Sequence, residues 1–265
     1  MKRRILIIDD HDDLATALDE VLSHLGHDVK IVDNRRDALV LSNIDGFDLV
    51  ITDLDFKKGD PWLSANGSSC LPYMPEKQPT EYLKAFKFCA AHFRRDEFDE
   101  DELKELTAIV LDYKIRHVDY VNAVHDLRES IEFELPSALS LMHIVLEYLT
   151  KRVEKMGVVR SEQSNLFVAL DEAFVNAIKH GNKYDARKLV RIIADISPKE
   201  ARFTIEDEGE GFDVNSIPDP RDPDNLFKTS GRGVLFIYNI MDEVAYNDRG
   251  NRLTMVKKSD SQRKA

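Results

Sequence analysis

The chain has few cysteines, no long apolar run and a shortage of positive charge. Its only cysteines, Cys70 and Cys89, have no metal-binding spacing and indicate a reducing, cytoplasmic compartment. No apolar run approaches the roughly 20 residues that span a membrane, and the run after the basic start ends at Asp9, so neither a membrane segment nor a signal peptide is expected. The net charge of −12 argues against direct nucleic-acid binding. Protein partners are expected instead.

The most informative segment that is present runs from Glu172 to Gly181. Its apolar residues recur at helical spacing, and Glu172 and Asn176 are four positions apart, so both point from the same helix face. An Asn carbonyl oxygen suits a hard cation such as Mg²⁺, and a Glu can orient or deprotonate an attacking group. We therefore take Glu172 as a candidate catalytic residue and Asn176 as a candidate ligand for metal and cofactor.

A second motif, Asp207-Glu208-Gly209-Glu210-Gly211, follows an alternating strand. Asp207 would lie where the chain leaves a sheet. Gly209 and Gly211 have no Cβ, so a base or a phosphate group can approach their backbone. This motif makes Asp207, Gly209 and Gly211 candidate cofactor-binding residues.

A third motif is formed by Gly231, Arg232 and Gly233, immediately before the apolar run 234–237. That run predicts a buried helix, and free amides at a helix N-terminus suit phosphate oxygens. The preceding segment 213–230 is polar and interrupted by prolines, as a lid over a nucleotide would be. The alternative interpretation is that these glycines only form turns.

The three motifs, in this order, resemble those of the Bergerat-fold (GHKL) ATPase domain, and specifically of the anti-sigma-factor serine/threonine kinases of RsbW type. The resemblance covers residues 129–258. It implies an α/β two-layer sandwich that binds ATP and Mg²⁺, with Asp207 accepting the adenine amino group. It also implies phosphorylation of a small STAS-type anti-sigma-factor antagonist, sequestration of a sigma factor, or both.

Residues 1–100 show a different pattern. The apolar run 4–8 ends in Asp9-Asp10 and the strand 47–52 ends in Asp53, with an amphipathic helix and a further strand between them. Carboxylates at the C-terminal ends of parallel strands gather in one crevice, so Asp9, Asp10 and Asp53 are predicted to bind Mg²⁺ together. This half resembles the response-regulator receiver domain of two-component signalling. The resemblance implies a doubly wound parallel sheet, a phosphoacceptor at Asp53 and an upstream histidine kinase.

The match to that family has two gaps. Asp96-Glu97 stands where the receiver pattern has a Lys-Pro pair, and a carboxylate there would repel a phosphorylated Asp53. No fourth strand is recognisable, because 57–80 has the composition of an irregular loop. Arg94 or Arg95 could replace the missing lysine. Two hypotheses remain: Asp53 is phosphorylated, or the domain is degenerate and serves for docking.

Residues 101–128 are predicted to form a connecting helix, because apolar positions from Leu103 to Leu127 alternate at steps of three and four. This seam could form a homodimer, or its first half could pack on the receiver-like sheet. His125 lies in a segment resembling the phosphoacceptor motif of histidine kinases, but the 51 positions between it and Asn176 leave little room for their helical hairpin. The tail 259–265 is expected to be disordered.

Three function classes compete. The first is a serine/threonine protein kinase of anti-sigma-factor type, regulated by its receiver-like half. The second is a signalling ATPase related to histidine kinases, and the third is a non-catalytic adaptor that binds nucleotide. Retention of Glu172, Asn176 and Asp207 favours the first class.

Overall fold

The computed structural model describes residues 2–41, 44–56, 71, 83–93, 98–119, 128–160, 165–213, 232–259 and 262. The chain packs as two compact units, Met1–Pro136 and Ser137–Ala265. The segment expected to connect two domains and the strand after it therefore belong to the first unit. None of the described helices is long and apolar enough to cross a membrane.

The first unit contains strands β1 (Arg4–Asp9), β2 (Asp28–Val32), β3 (Leu49–Phe56), β4 (Leu83–Cys89) and β5 (Arg128–Pro136). They lie in the order β2-β1-β3-β4-β5. Strands β2, β1 and β3 are parallel, as expected. Strand β4 runs antiparallel to β3 and parallel to β5, so the prediction of a wholly parallel sheet is wrong at this pair.

Strand β4 was not recognised because two lysines interrupt its apolar pattern. The structure buries Lys87 by pairing its Nζ with Glu132 Oε1 of β5 at 2.6 Å and with Glu134 Oε2 at 3.3 Å. A buried charge is tolerated when it is paired and hydrogen-bonded. Lys87, a residue type that usually indicates a surface position, is therefore part of the interior.

The helices of this unit are α1 (Ala15–His24), α2 (Arg35–Leu39) and α3 (Glu100–Tyr113), and α3 continues into a π-helical turn at Lys114–Val118. Helix α3 begins after Asp99, whose carboxylate accepts the amide of Glu102. Leu103, Leu106 and Val110 are buried. These three residues of the predicted seam are thus buried within the described part of the first unit. Residues 120–127, including His125, lie outside the described residues.

The second unit is mixed α/β. Strands β6 (Leu189–Ile196), β7 (Glu200–Asp207), β8 (Glu243–Tyr246) and β9 (Arg252–Lys258) form an antiparallel sheet in the order β6-β7-β9-β8. Its helices are α4 (Leu139–Lys155), α5 (Leu166–Val175), which continues into a π-helical turn at Asn176–Gly181, and α6 (Arg232–Ile240). Both hairpins expected from the sequence are present. Helix α4 buries its apolar face and is followed by Gly157 with a positive φ of 75°.

Candidate functional site

Helix α5 and its π-helical turn carry Glu172 and Asn176. Asn176 is the first residue of the turn, and its Nδ2 is buried with no hydrogen-bond partner among the described residues. A buried amide without a partner is costly, and π-helical turns occur frequently at functional sites. The Nδ2 donor of Asn176 therefore suits an acceptor atom that the described residues do not supply.

Glu172 lies against the first turn of helix α6. A methyl group built on Gly233 would overlap the Glu172 carboxylate, so only glycine permits this approach. The structure thus brings together the predicted catalytic carboxylate and the third motif. Arg232 is the first residue of α6, and the segment 214–231, including Gly231, lies outside the described residues.

Asp207 is the last residue of β7 and is half-buried. Its Oδ1 accepts the amide of Gly209 at 2.8 Å. Burial raises the pKa of this carboxyl above its usual value, and the Gly209 amide partly offsets that effect. A methyl group at Gly181, where the π-helical turn of α5 ends, would overlap the Asp207 carboxylate. The end of that turn therefore forms a wall beside Asp207.

The loop after β7 is fixed against the turn between β8 and β9. Gly211 has a φ of 79°, and a side chain there would overlap the carbonyl oxygen of Arg249. That carbonyl accepts the amide of Phe212 at 3.1 Å, and the Arg249 guanidinium donates to the Gly209 carbonyl oxygen at 2.8 Å. Asn251 completes the connection, because its Nδ2 donates to the Asp207 carbonyl oxygen at 2.8 Å.

Comparison with known proteins decides what kind of domain this is. Residues 135–257 match the family model described as "Histidine kinase-like ATPase domain". Those residues form a kinase-like ATPase domain. The chain is also 25% identical over 138 residues to the serine-protein kinase RsbW of Staphylococcus epidermidis, covering 49% of this chain and 87% of the relative. The same kinase of Staphylococcus aureus strain JH9 is 25% identical over 135 residues, covering 48% and 85%. These relatives are distant and span about half of the chain.

The ATPase domain offers residues that fit ATP and Mg²⁺. The Asn176 Nδ2 has no hydrogen-bond partner among the described residues, and the backbone of Gly181 and Gly209 packs closely around the Asp207 carboxylate, since a side chain at either position would overlap it. Asp207 and Gly209 suit the base, Gly233 and the start of α6 suit phosphates, and the carbonyl oxygen of Asn176, rather than its Nδ2, suits a metal on those phosphates.

Sequence reasoning missed Gly181 and Asn182 of the ATPase domain. Gly181 borders the Asp207 carboxylate, and the Asn182 side chain accepts the amide of Glu208 at 2.9 Å. The only signal available was their place directly after the helical segment that carries Glu172 and Asn176. A glycine and an asparagine there are also what an ordinary helix end prefers, so the pattern did not single them out.

In the first unit, Asp53 forms a buried ion pair with a lysine of the π-helical turn after α3. Lys114 Nζ lies 2.6 Å from Asp53 Oδ2 and 3.2 Å from Asp119 Oδ1, and 4.7 Å from the centre of the Phe86 ring. Burial raises the pKa of Asp53 to about 6, although Lys114 acts in the opposite direction. The two carboxylates raise the pKa of Lys114 above its usual value despite its burial. The contacts therefore join Asp53, Lys114 and Asp119 in one buried cluster of charged groups.

This contact corrects one expectation. The sequence has Asp96 at the position of the receiver lysine and offered only Arg94 or Arg95 as a replacement cation beside Asp53. The structure supplies the ammonium from Lys114, which lies on a helix and not after a strand. The position was missed because Lys114 is separated from Asp53 by 61 residues. Residues 94–97 lie outside the described residues.

Asp9 and Asp10 are engaged in hydrogen bonds within the first unit, including one that Asp10 Oδ2 accepts from the Asp55 amide of β3 at 3.1 Å. Asp9 Oδ2 accepts the amides of Leu14 and Ala15 at 2.8 and 2.9 Å, and its Oδ1 accepts that of His11 at 3.0 Å. Asp10 contacts the His11 ring at 2.6 Å, which raises the pKa of that histidine. The ligand atoms of Asp9, Asp10 and His11 lie within 4.8 Å of one another, whereas Asp53 is paired with Lys114. Binding of Mg²⁺ by Asp9, Asp10 and Asp53 stays a prediction.

Proposed function

We propose that this protein is an ATP-dependent serine/threonine protein kinase of anti-sigma-factor type. Its substrate would be a small STAS-type antagonist protein, and it would also bind a sigma factor. The distant similarity to RsbW supports this choice over other kinase-like ATPases. The single observation that carries the proposal is the contact between Glu172 and Gly233, which places a carboxylate at the start of the helix suited to phosphates.

Each residue has a defined task in this proposal. ATP would supply its γ-phosphoryl group and leave as ADP, and a bound Mg²⁺ would supply positive charge at the phosphates. Asp207 would bind the adenine amino group, and Asn176 would hold the metal through its carbonyl oxygen Oδ1. Glu172 accepts the proton from the hydroxyl group of the substrate serine or threonine and orients that oxygen. In such reactions the protein mainly positions the reactants, which suits a site built from helix ends and glycines.

The first unit would regulate the kinase. We propose Asp53 as its phosphoacceptor candidate, since Lys114 supplies the cation that a phosphorylated aspartate needs. Modification would change the partners of Lys114 and so act on the turn that ends α3. Incubation with Mg²⁺ and acetyl phosphate, followed by intact mass, tests this role. Absence of a phosphorylated species would instead favour the docking hypothesis.

The kinase proposal is tested by Glu172→Gln in the full chain. With labelled ATP and the STAS-type protein encoded by the same genome, we expect phosphate transfer to fall about 10²–10⁴-fold, the usual contribution of a general base. The ATP affinity of Glu172→Gln, measured by calorimetry, should equal that of the wild type. Asn176→Ala should lower both the ATP affinity and the rate of phosphate transfer. The matched control is Glu147→Gln, because Glu147 is exposed on α4 and pairs only with Lys151 among its described partners.

The result that contradicts the proposal is equally clear. Equal transfer rates in the wild type and in Glu172→Gln would remove Glu172 from the chemistry. Tight ATP binding with no transfer to any co-purified protein would favour a non-catalytic adaptor. Pull-down from the native host with mass spectrometry identifies the partner to be used.

A further inference from the structure

Asn182 is a fully buried polar residue directly after the π-helical turn of α5, with 0% of its surface exposed. Its Nδ2 donates to Ser137 Oγ at 2.6 Å and to the Leu189 carbonyl oxygen at 2.8 Å. Its Oδ1 accepts the amide of Glu208 at 2.9 Å. Both donors and the acceptor of the side chain are therefore used.

These bonds hold the chain on the C-terminal side of Asp207. Glu208 follows Asp207, and its own carboxylate accepts the amide of Leu189 at 2.8 Å. Leu189 begins β6, and its neighbour Val190 pairs with Asp207 in the sheet. Asn182 and Glu208 thus join the start of β6 to the end of β7, immediately beside the candidate adenine-binding carboxylate.

Gly181, the residue before Asn182, is in contact with the Asp207 carboxylate itself. A methyl group at Gly181 would overlap the Asp207 side chain, so Gly181 and Asp207 are in close contact. The two residues therefore border Asp207 at two places. Gly181 lies against the Asp207 carboxylate, and Asn182 accepts the amide of Glu208, the residue after Asp207. Any shift of Asn182 moves both contacts together.

We propose that Asn182 is a positioning residue that sets the preference of this site for adenine nucleotides over guanine nucleotides. The inference rests on the proposed role of Asp207 as the acceptor of the adenine amino group. Adenine presents a 6-amino donor, whereas guanine presents an acceptor oxygen at the same place. A carboxylate held in one orientation accepts a hydrogen bond from the adenine amino group and repels the guanine oxygen. A carboxylate that is free to turn away neither binds the amino group nor repels the oxygen.

The experiment measures ATP and GTP affinities of the full chain by calorimetry, for the wild type, Asn182→Ala, Asp207→Asn and the double variant. We expect Asn182→Ala to weaken ATP binding about tenfold, corresponding to one hydrogen bond of ordinary strength, and to strengthen GTP binding, because the freed carboxylate no longer repels the guanine oxygen. The ratio of ATP to GTP affinity then falls by at least about tenfold. The double variant should bind ATP no more weakly than Asp207→Asn, since Asn182 acts through Asp207.

The matched control is Ile196→Ala. Ile196 is 1% exposed and lies at the other end of the β6–β7 hairpin, where it pairs with Ala201. The Ile196→Ala substitution should lower the melting temperature and leave the ratio of ATP to GTP affinity unchanged. If Asn182→Ala does not fold, Ser137→Ala removes one of the Asn182 partners and should lower the same ratio by a smaller factor.

The outcomes separate this inference from the proposed function. A ratio equal to that of the wild type in the Asn182→Ala or Ser137→Ala protein overturns the inference, and so do losses that add in the double variant. Unchanged ATP affinity in Asp207→Asn overturns the adenine assignment itself, together with the inference. A lowered ratio in Asn182→Ala with non-additive losses supports both.

Discussion

Asp53 and Asp207 are the same type of residue on strands of the two units, but they have different partners. Asp53 lies within β3, three residues before the strand ends at Phe56, and its carboxylate is paired with a buried ammonium. Asp207 is the last residue of β7 and accepts a backbone amide from the loop that follows. Burial raises the pKa of both carboxyls.

The difference lies in what surrounds each carboxylate. Around Asp53, the charges of Lys114 and Asp119 and the ring of Phe86 fill the space. Around Asp207, the neighbours Gly181 and Gly209 contribute backbone without side chains. An ion pair satisfies Asp53 from within the protein, whereas Asp207 is bordered by closely packed glycine backbone and accepts the Gly209 amide. Neighbouring residues thus give the same acid a charged partner in one unit and backbone neighbours in the other.

The largest expected effect comes from removing the cation beside Asp53. Lys114→Met keeps the length of the side chain but leaves Asp53 and Asp119 buried without their ammonium. Breaking such a buried pair costs about 3–5 kcal/mol of unfolding free energy. Urea unfolding, with hydrogen exchange in β3 and β4 as the local probe, measures it.

The control for Lys114→Met is Arg116→Met, two residues further along the same turn. Arg116 pairs with Asp112 in an exposed position, where its side chain is 68% accessible. Exposed pairs contribute less than about 1 kcal/mol. If Lys114→Met lost no more stability than this control, the Asp53 pair would be no stronger than a surface contact, and the comparison with Asp207 would fail.

A smaller effect is the pH dependence that Asp53 gives to stability. Its folded-state pKa is about 6, above the roughly 3.9 of an unfolded aspartate. Between these values the folded protein keeps a proton that the unfolded chain has released. The contribution of Asp53 to stability therefore falls as pH rises from about 4 to 6, by about 2–3 kcal/mol, and stays level at neutral pH.

Asp53→Asn tests this dependence because it removes the titrating group. As pH rises from about 4 to 6, the unfolding free energy of the wild type should fall relative to that of Asp53→Asn. Urea unfolding at intervals across that range measures the difference. Parallel curves for the two proteins would show that burial does not raise the pKa of Asp53.

Local patterns predicted most of the second unit. The hairpins β6–β7 and β8–β9, helix α4 and the helix of Glu172 all follow from periodicity and turn residues that are close in sequence. The contact between Glu172 and Gly233 was implied only by resemblance, since 61 positions separate the two residues. The role of Asn182 was missed because its partners, Ser137, Leu189 and Glu208, meet it only in the folded sheet.

The first unit was predicted less well, for a physical reason. Its strand β4 and the turn of Lys114 place lysines in the interior, where composition alone predicts surface. Each buried lysine is balanced by carboxylates from distant parts of the chain, Lys87 by β5 and Lys114 by β3. Periodicity records which residues are apolar, but it does not record which charges meet. The sheet direction and the cation beside Asp53 therefore required the structure.

The smallest of the three effects compares the two carboxylates directly, through ATP affinity. Asp207→Asn replaces an acceptor-only carboxylate with an amide, and the charge-assisted hydrogen bond to adenine that it removes contributes about 1.5–3 kcal/mol. Calorimetry on the full chain should therefore show ATP binding weakened by roughly 10–100-fold. Asp53→Asn is the matched control, because it makes the same chemical change in the first unit, and it should leave ATP affinity unchanged. Equal affinities in the wild type and Asp207→Asn would show that Asp207 is not a base-binding residue. A loss of affinity in Asp53→Asn comparable to that in Asp207→Asn would mean that the filled surroundings of Asp53 do not separate it from nucleotide binding.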